Sequence, residues 1–271
     1  MQSCTNKEQV IADAGSVTIH SGNILHKILR TSQEICQSFC GTVKQWTADK
    51  SEIPSITTQC SHGGVFINNE KDTEWSKERN RDDIKLTVKL FLWKNDAEIV
   101  KEAVLTVIDY YQCEKIDLLL LSLPPTSNCP HNTFRSVKYQ DIREVWIQLC
   151  NLAADGFITE LGVCDMDEPS LKDICESSDV KPVANQINLQ ECCHPPKNLS
   201  AYASEHHIKL LTHNDPNDVL PEDTLQFVLP ASDKNRSWKA CFLTRYSAVI
   251  RLREIVMLKG YFLCMKATKE S

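Results

Sequence analysis

The chain carries 13 cysteines and 8 histidines, side chains that can do redox, metal-binding or proton-transfer chemistry. Cys192-Cys193-His194 sets two thiols beside an imidazole, just ahead of Pro195-Pro196. A neighbouring histidine raises the thiolate fraction, so this run suits disulfide exchange or a bridge to another chain. It equally suits simple packing, because free cysteine buries readily. Zinc is disfavoured and no metal is expected. Adjacent cysteines do not easily share one tetrahedral ion, and no second Cys/His pair stands at finger spacing. Cys36 and Cys40 lie four apart on a predicted helix, where they share a face, and packing is the reading there. Cys264, in Tyr261-Phe-Leu-Cys264, is a further candidate for a bridge. His213 ends a predicted strand and either lines a pocket or caps a loop. His206-His207 close a helix, where positive charge suits the dipole. The 8 glycines form neither G-x-G-x-x-G nor a P-loop, and there is no nucleophile turn of the hydrolase kind.

The elements that position these residues follow a regular rhythm from Ile84 onward. Ile84-Lys-Leu-Thr-Val-Lys-Leu-Phe-Leu92 alternates and is β-rich. Asp96 can cap a helix that turns Ile99, Val100, Val104 and Ile108 inward. The apolar run 116–123 reads as a parallel strand covered on both faces, ended by Pro124-Pro125. Asp141 starts a helix with Val145, Trp146, Leu149 and Leu152 on one side, and Gly156 stands where a C-terminal cap belongs. Strands follow at 158–163, 182–188 and 208–212, with helices starting at Asp167 and Asn198. Before residue 84 the pattern is weaker. It gives a strand and turn at Val17-Thr-Ile-His20-Ser-Gly, a helix over 31–47 facing Ile35, Phe39, Val43 and Trp46, and a charge run at 69–83 read as solvated. Residues 238–265 fit helix or strand equally well.

Alternating β and α elements call for parallel strands with helical crossovers. A doubly wound sheet wants a glycine-rich phosphate turn after its first strand, which is missing. The expected fold is therefore α/β, a (β/α)8 TIM-type barrel, allowing for an irregular N-terminal part. With 271 residues and 42% hydrophobic content, residues 1–271 suffice for one such domain. A net charge of -6 argues against a nucleic-acid or acidic-membrane surface, which would want a basic stripe. The first residues lack a basic segment followed by an apolar one, and no apolar run reaches about 18 residues, so neither export nor a membrane span is expected. The 13 cysteines are then reduced thiols in the cytoplasm.

Residues 84–216 resemble the aldo-keto reductase superfamily. The carrying motifs are Gly156-Phe-Ile-Thr-Glu-Leu-Gly-Val-Cys-Asp165 and Val180-Lys-Pro-Val-Ala-Asn-Gln-Ile-Asn188. The resemblance implies hydride transfer from a nicotinamide, with a tyrosine as proton donor, a lysine that tunes it, an aspartate that holds the lysine and a histidine that orients substrate. Carried over by position, Lys89 matches the lysine and Ser122 falls where the histidine belongs. Cys164 and Asp165 stand at the nicotinamide-binding Ser-Asn pair, and Gln186 matches the carboxamide-binding glutamine. No tyrosine precedes Tyr110, so the donor has no candidate. These residues are therefore expected to be vestigial, with no catalytic residue and no cofactor. Loss of such a donor removes about 10²–10⁴ of rate.

A narrower resemblance, to the modifier (regulatory) subunits of glutamate–cysteine ligase, runs nearly end to end. It rests on Gln190-Glu-Cys-Cys-His-Pro-Pro196, Leu210-Leu-Thr-His-Asn-Asp-Pro216, Leu243-Thr-Arg-Tyr-Ser-Ala-Val-Ile250 and Leu258-Lys-Gly-Tyr-Phe-Leu263. Active reductases carry a Tyr-Ser-Pro-Leu type sequence where this chain has Thr-His-Asn-Asp-Pro. The resemblance implies a protein that is not an enzyme. It would form a heterodimer with the ligase's catalytic subunit, improve glutamate use and relieve feedback inhibition by glutathione. The competing expectation is an active NADPH-dependent reductase.

Overall fold

A computed structural model describes residues 6–25, 31–49, 64–69, 81–124, 134–188, 194–229 and 236–269. In chain order the elements are α1 (Lys7–Asp13), β1 (Ser16–His20), α2 (Thr31–Ala48), β2 (Val65–Asn68), β3 (Ile84–Leu92), α3 (Ala97–Tyr111), β4 (Ile116–Ser122) and α4 (Tyr139–Ala154). There follow β5 (Ile158–Cys164), α5 (Glu168–Ser177), β6 (Ala184–Asn188), α6 (Lys197–Glu205), β7 (Lys209–His213), α7 (Glu222–Val228), β8 (Arg236–Ile250) and β9 (Ile255–Lys269). They fall into two compact units. One is Ile84–Asn217; the other joins Met1–Asp83 to Asp218–Ser271.

The unit Ile84–Asn217 is the α/β repeat that the sequence predicts. Strands β3 to β7 lie side by side in chain order, all parallel. Sequential order is that of barrel-type β/α repeats; a doubly wound sheet reverses direction at a switch point. Asp96 accepts hydrogen bonds from the amides of Glu98 and Ile99, which starts α3. Asp167 caps α5 through the amide of Ser170. Helix α4 starts two residues before Asp141, which sits in its first turn. Gly156 adopts φ 89°, and the amides of Gly156 and Phe157 close back on Ala153 and Leu152, the doubly bonded glycine cap. His207 ends α6 in the same way, with φ 57° and the amide of Ile208 on the carbonyl of Ala203. The inward face of α4 is Ile142, Val145, Trp146, Leu149 and Leu152, all buried.

In the other unit β1 pairs in parallel with β2 and antiparallel with β9, and β8 and β9 form one long antiparallel hairpin. Residues 238–265 are therefore strand on both sides of a turn at 251–254. Their Tyr, Phe, Val and Thr content suits a pleated surface, and long antiparallel pairing decides what local periodicity does not. Helix α2 buries Ile35, Phe39 and Val43. Its buried Glu34 accepts hydrogen bonds from the Lys259 ammonium at 2.7 Å and the Tyr261 hydroxyl at 2.8 Å. The sequence reading did not find α1, β2 or α7. All three are short, at 7, 4 and 7 residues. Most of the charge run at 69–83 lies outside the described residues.

A polar cluster at the strand ends

Side chains alternate along a strand, so parallel neighbours in register share faces. Lys89 is level with Leu120, Leu120 with Gly162, and Gly162 with Ala184. Nearer the strand ends Cys164 is level with Gln186, and Asn188 with His213. Counting in twos from these pairs puts Lys89, Ser122, Cys164, Gln186, Asn188 and His213 on one face. Its lower layer is apolar, with Leu118, Leu120, Cys164 and Ala184 packed together. Gly162 is required in that layer. A Cβ there would stand 2.7 Å from Leu120 Cδ2 and 2.9 Å from the Ala184 carbonyl oxygen. Above it, at the C-terminal ends, the face turns polar.

Lys89 donates to Asp215 Oδ2 at 2.9 Å, both side chains being 3% exposed. Its ammonium also lies 5.1 Å from the centre of the Phe91 ring. His213 bridges two carboxylates, with Nε2 2.9 Å from Asp165 Oδ1 and Nδ1 3.2 Å from Asp215 Oδ2. Burial opposes its protonation, but hydrogen bonds to Asp165 and Asp215 outweigh burial and raise its pKa above the ordinary value. Asp165 adopts φ 56°, which turns its carboxylate toward the neighbouring strand ends, where it accepts from the Asn188 amide at 2.8 Å. Asn188 in turn donates to the Asp215 carbonyl at 2.8 Å. The Asp215 amide donates to His213 Nδ1 at 3.1 Å, so the imidazole, the Lys89 ammonium and the two carboxylates are all engaged within the cluster.

The structure thus brings Lys89, Asp165 and His213 into one network and adds Asp215, which the sequence reading left unassigned. Cys164 and Gln186 form a second small group. The Cys164 thiol points to Gln186 Oε1 at 3.9 Å, and Gln186 Nε2 donates to the Thr212 carbonyl at 3.4 Å. Ser122 is buried at the end of β4. Asn185, on the opposite face, clamps the loop after β5 through the Met166 amide and carbonyl. Arg135 was also missed. Its backbone runs beside that loop, and its Nε and Nη1 are buried without a hydrogen-bond partner. Burial lowers its pKa, against the attraction of Asp165 and Cys164. Cys192 and Cys193 lie outside the described residues. Cys264 is wholly buried, level with Thr18 on one side and Phe242 on the other. A thiol there reaches a second chain only if the sheet opens.

These side chains do not fit a nicotinamide. Asp165 is a carboxylate bound to His213 and the Asn188 amide, where an amide side chain would have to donate. Both ends of the Gln186 amide are engaged by the chain itself. The unit's tyrosines, Tyr110, Tyr111, Tyr139 and Tyr202, belong to helices α3, α4 and α6, not to strand ends.

Parallel β/α repeats with a lysine–carboxylate pair at the strand ends define the class, and the chain belongs to the aldo/keto reductase family, whose model matches residues 66–214. Among its relatives are the glutamate–cysteine ligase regulatory subunits of Bos taurus and Homo sapiens. Each is 28% identical over 275 residues, covering 95% of this chain and 95% of the relative. Methylglyoxal reductase of Yersinia pestis is 28% identical over 128 residues, 47% of this chain and 41% of its own. The solved aldose reductase of Giardia lamblia aligns at 17% identity and a TM-score of 0.40, covering 66% of this chain and 52% of that one. Among the described residues no helix is long and apolar enough to cross a membrane.

Proposed function

We propose that this chain is a non-catalytic regulatory subunit of glutamate–cysteine ligase. It binds the catalytic subunit as a cytoplasmic heterodimer, improves glutamate use and relieves feedback inhibition by glutathione. The observation that carries the reading is the end-to-end relationship to proteins bearing that name, 95% of both chains. The strand-end chemistry supports it. Lys89 is held by Asp215, and the tyrosines of its own unit lie on helices rather than beside it, so the lysine has no phenol in that unit to tune. The vestigial assignment of Lys89, Ser122, Cys164, Asp165 and Gln186 belongs to this proposal, as does Cys192 or Cys193 as an intersubunit thiol.

The test is a ligase assay on the catalytic subunit with and without this chain, over a grid of glutamate and glutathione concentrations. Addition is expected to lower the KM for glutamate and raise the inhibition constant of glutathione. Unchanged constants at saturating chain would sink the reading. Steady NADPH oxidation by the purified chain with an aldehyde would instead establish the reductase alternative.

A further inference from the structure

Arg135 lies between β4 and α4, and its main chain is pinned beside the loop after β5. Its amide donates to the Asp165 carbonyl at 2.6 Å, and its own carbonyl accepts from the Asp167 amide at 3.3 Å and from the Ser170 hydroxyl at 3.4 Å. The side chain has no such anchorage. Nε and Nη1 are buried and have no hydrogen-bond partner. The acids around it are engaged elsewhere. Asp165 accepts from His213 Nε2 at 2.9 Å and from the Asn188 amide at 2.8 Å, and Asp215 accepts from Lys89 at 2.9 Å. Asp167 accepts from the amide and hydroxyl of Ser170, Asp173 accepts from the Tyr139 amide at 2.7 Å, and Glu168 stands in the first turn of α5. Among these acids Asp165 attracts the guanidinium, as does Cys164, but burial outweighs both and lowers the pKa of Arg135. Leaving the donors of a buried charged group unmade is costlier than leaving neutral ones unmade, and in a folded protein such a group calls for a reason.

We infer that Arg135 is an anion-binding residue at the strand ends of the unit Ile84–Asn217, and that it takes the carboxylate of a small molecule. The inference goes beyond the function proposed above and does not depend on it. A guanidinium offers two forks that match a carboxylate, and each pairs one of the buried nitrogens with Nη2. Asp165 sets the charge of the ligand. Its negative charge repels a doubly charged phosphate more than a singly charged carboxylate. The main chain on both sides of the arginine is held by the loop after β5, so the fork is positioned before any ligand arrives.

The experiment follows the Arg135 Nε–H resonance in the nitrogen-15-labelled full chain, assigned by its loss in Arg135→Lys. The chain is titrated with acetate, glutamate, glutathione and inorganic phosphate at constant ionic strength. A saturable shift is expected with at least one carboxylate, and a smaller one with phosphate. Acetate set against glutamate and glutathione tells a bare carboxylate from an amino-acid ligand. By calorimetry Arg135→Met should bind the tightest of these carboxylates at least about tenfold more weakly. In carboxylate-free buffer it should melt no lower than wild type, because methionine leaves no buried charge unpaired. Arg135→Lys keeps the charge and loses the fork; it should also bind more weakly, and it carries the test if the methionine variant does not fold. A resonance indifferent to every carboxylate overturns the inference, and so does a folded variant of either kind with wild-type affinity. A response to phosphate as large as that to the carboxylates overturns it too. A methionine variant that folds but melts well below wild type assigns the guanidinium to holding Asp165, with the same consequence.

Discussion

The charge of Lys89 is engaged by Asp215 at 2.9 Å with almost no solvent nearby. Without Lys89 the buried Asp215 carboxylate keeps only His213 beside it, and breaking a buried pair from one side is costly. Lys89→Met is therefore expected to destabilise the unit Ile84–Asn217 by about 3–5 kcal/mol, read by urea unfolding with the fluorescence of buried Trp146 as reporter. A loss within about 0.5 kcal/mol would mean that water reaches the pair and solvates Asp215. Histidine gives the same unit a pH dependence. The pKa of His213 is raised in the folded state, so its stabilisation is complete below the unfolded value near 6.5 and disappears as pH climbs through the folded one. His20 acts with the opposite sign. Burial lowers its pKa to about 4, partly offset by its hydrogen bond to Asn68, so its contribution holds above about 6.5 and is lost between there and about 4. A plot of unfolding free energy against pH should therefore fall on both sides of about pH 6.5. His213→Gln should flatten the alkaline limb and His20→Gln the acid limb. A variant that moved the other residue's limb would refute the assignment.

At the scale of elements, the hairpin turn stores strain that a glycine would release. Glu254 pays for its left-handed conformation, while glycine adopts it freely. Glu254→Gly is expected to raise the stability of its unit by about 0.5–1 kcal/mol, seen as a higher denaturation midpoint at unchanged m-value. A lower midpoint would show that the Glu254 side chain contributes more than its backbone costs. The same hairpin marks where sequence reading stops. Strands β3 and β4 were legible because they are runs of alternating or nearly all-apolar residues, a signal that acts locally. Residues 238–265 carry an apolar pattern compatible with either period, and what makes them strand is pairing between β8 and β9 along their length. Helix α1 and strand β2 are too short to show a period at all. The polar cluster was half legible. Lys89, Asp165 and Gln186 stand in motifs with fixed spacing, whereas Asp215 becomes the lysine's partner only because the sheet from β3 to β7 curls enough to bring the loop after β7 to Lys89 on β3. His20 gave no hint of its partners, since Asn68 and Tyr246 reach it from distant segments at 2.9 and 2.7 Å.

For the whole molecule, a regulator without chemistry of its own can act only through unequal affinity for two states of its partner. That requirement is reciprocal. If this chain tightens glutamate binding to the catalytic subunit by some factor, glutamate must tighten subunit association by the same factor, and glutathione must loosen it by the factor through which its inhibition is relieved. A tenfold effect corresponds to about 1.4 kcal/mol, within reach of one well-packed patch. The expected result is a heterodimer dissociation constant, measured by sedimentation under reducing conditions, that falls on saturation with glutamate and rises on saturation with glutathione. Each shift should equal the matching change in ligand affinity measured with and without this chain. Reducing conditions matter, because a covalent bridge through Cys192 or Cys193 would hold the subunits together whatever the ligands do. A dissociation constant indifferent to both ligands, alongside altered ligand affinities, would violate linkage for a simple heterodimer. The effect on the ligase would then have to come from something other than the association of one chain with the other.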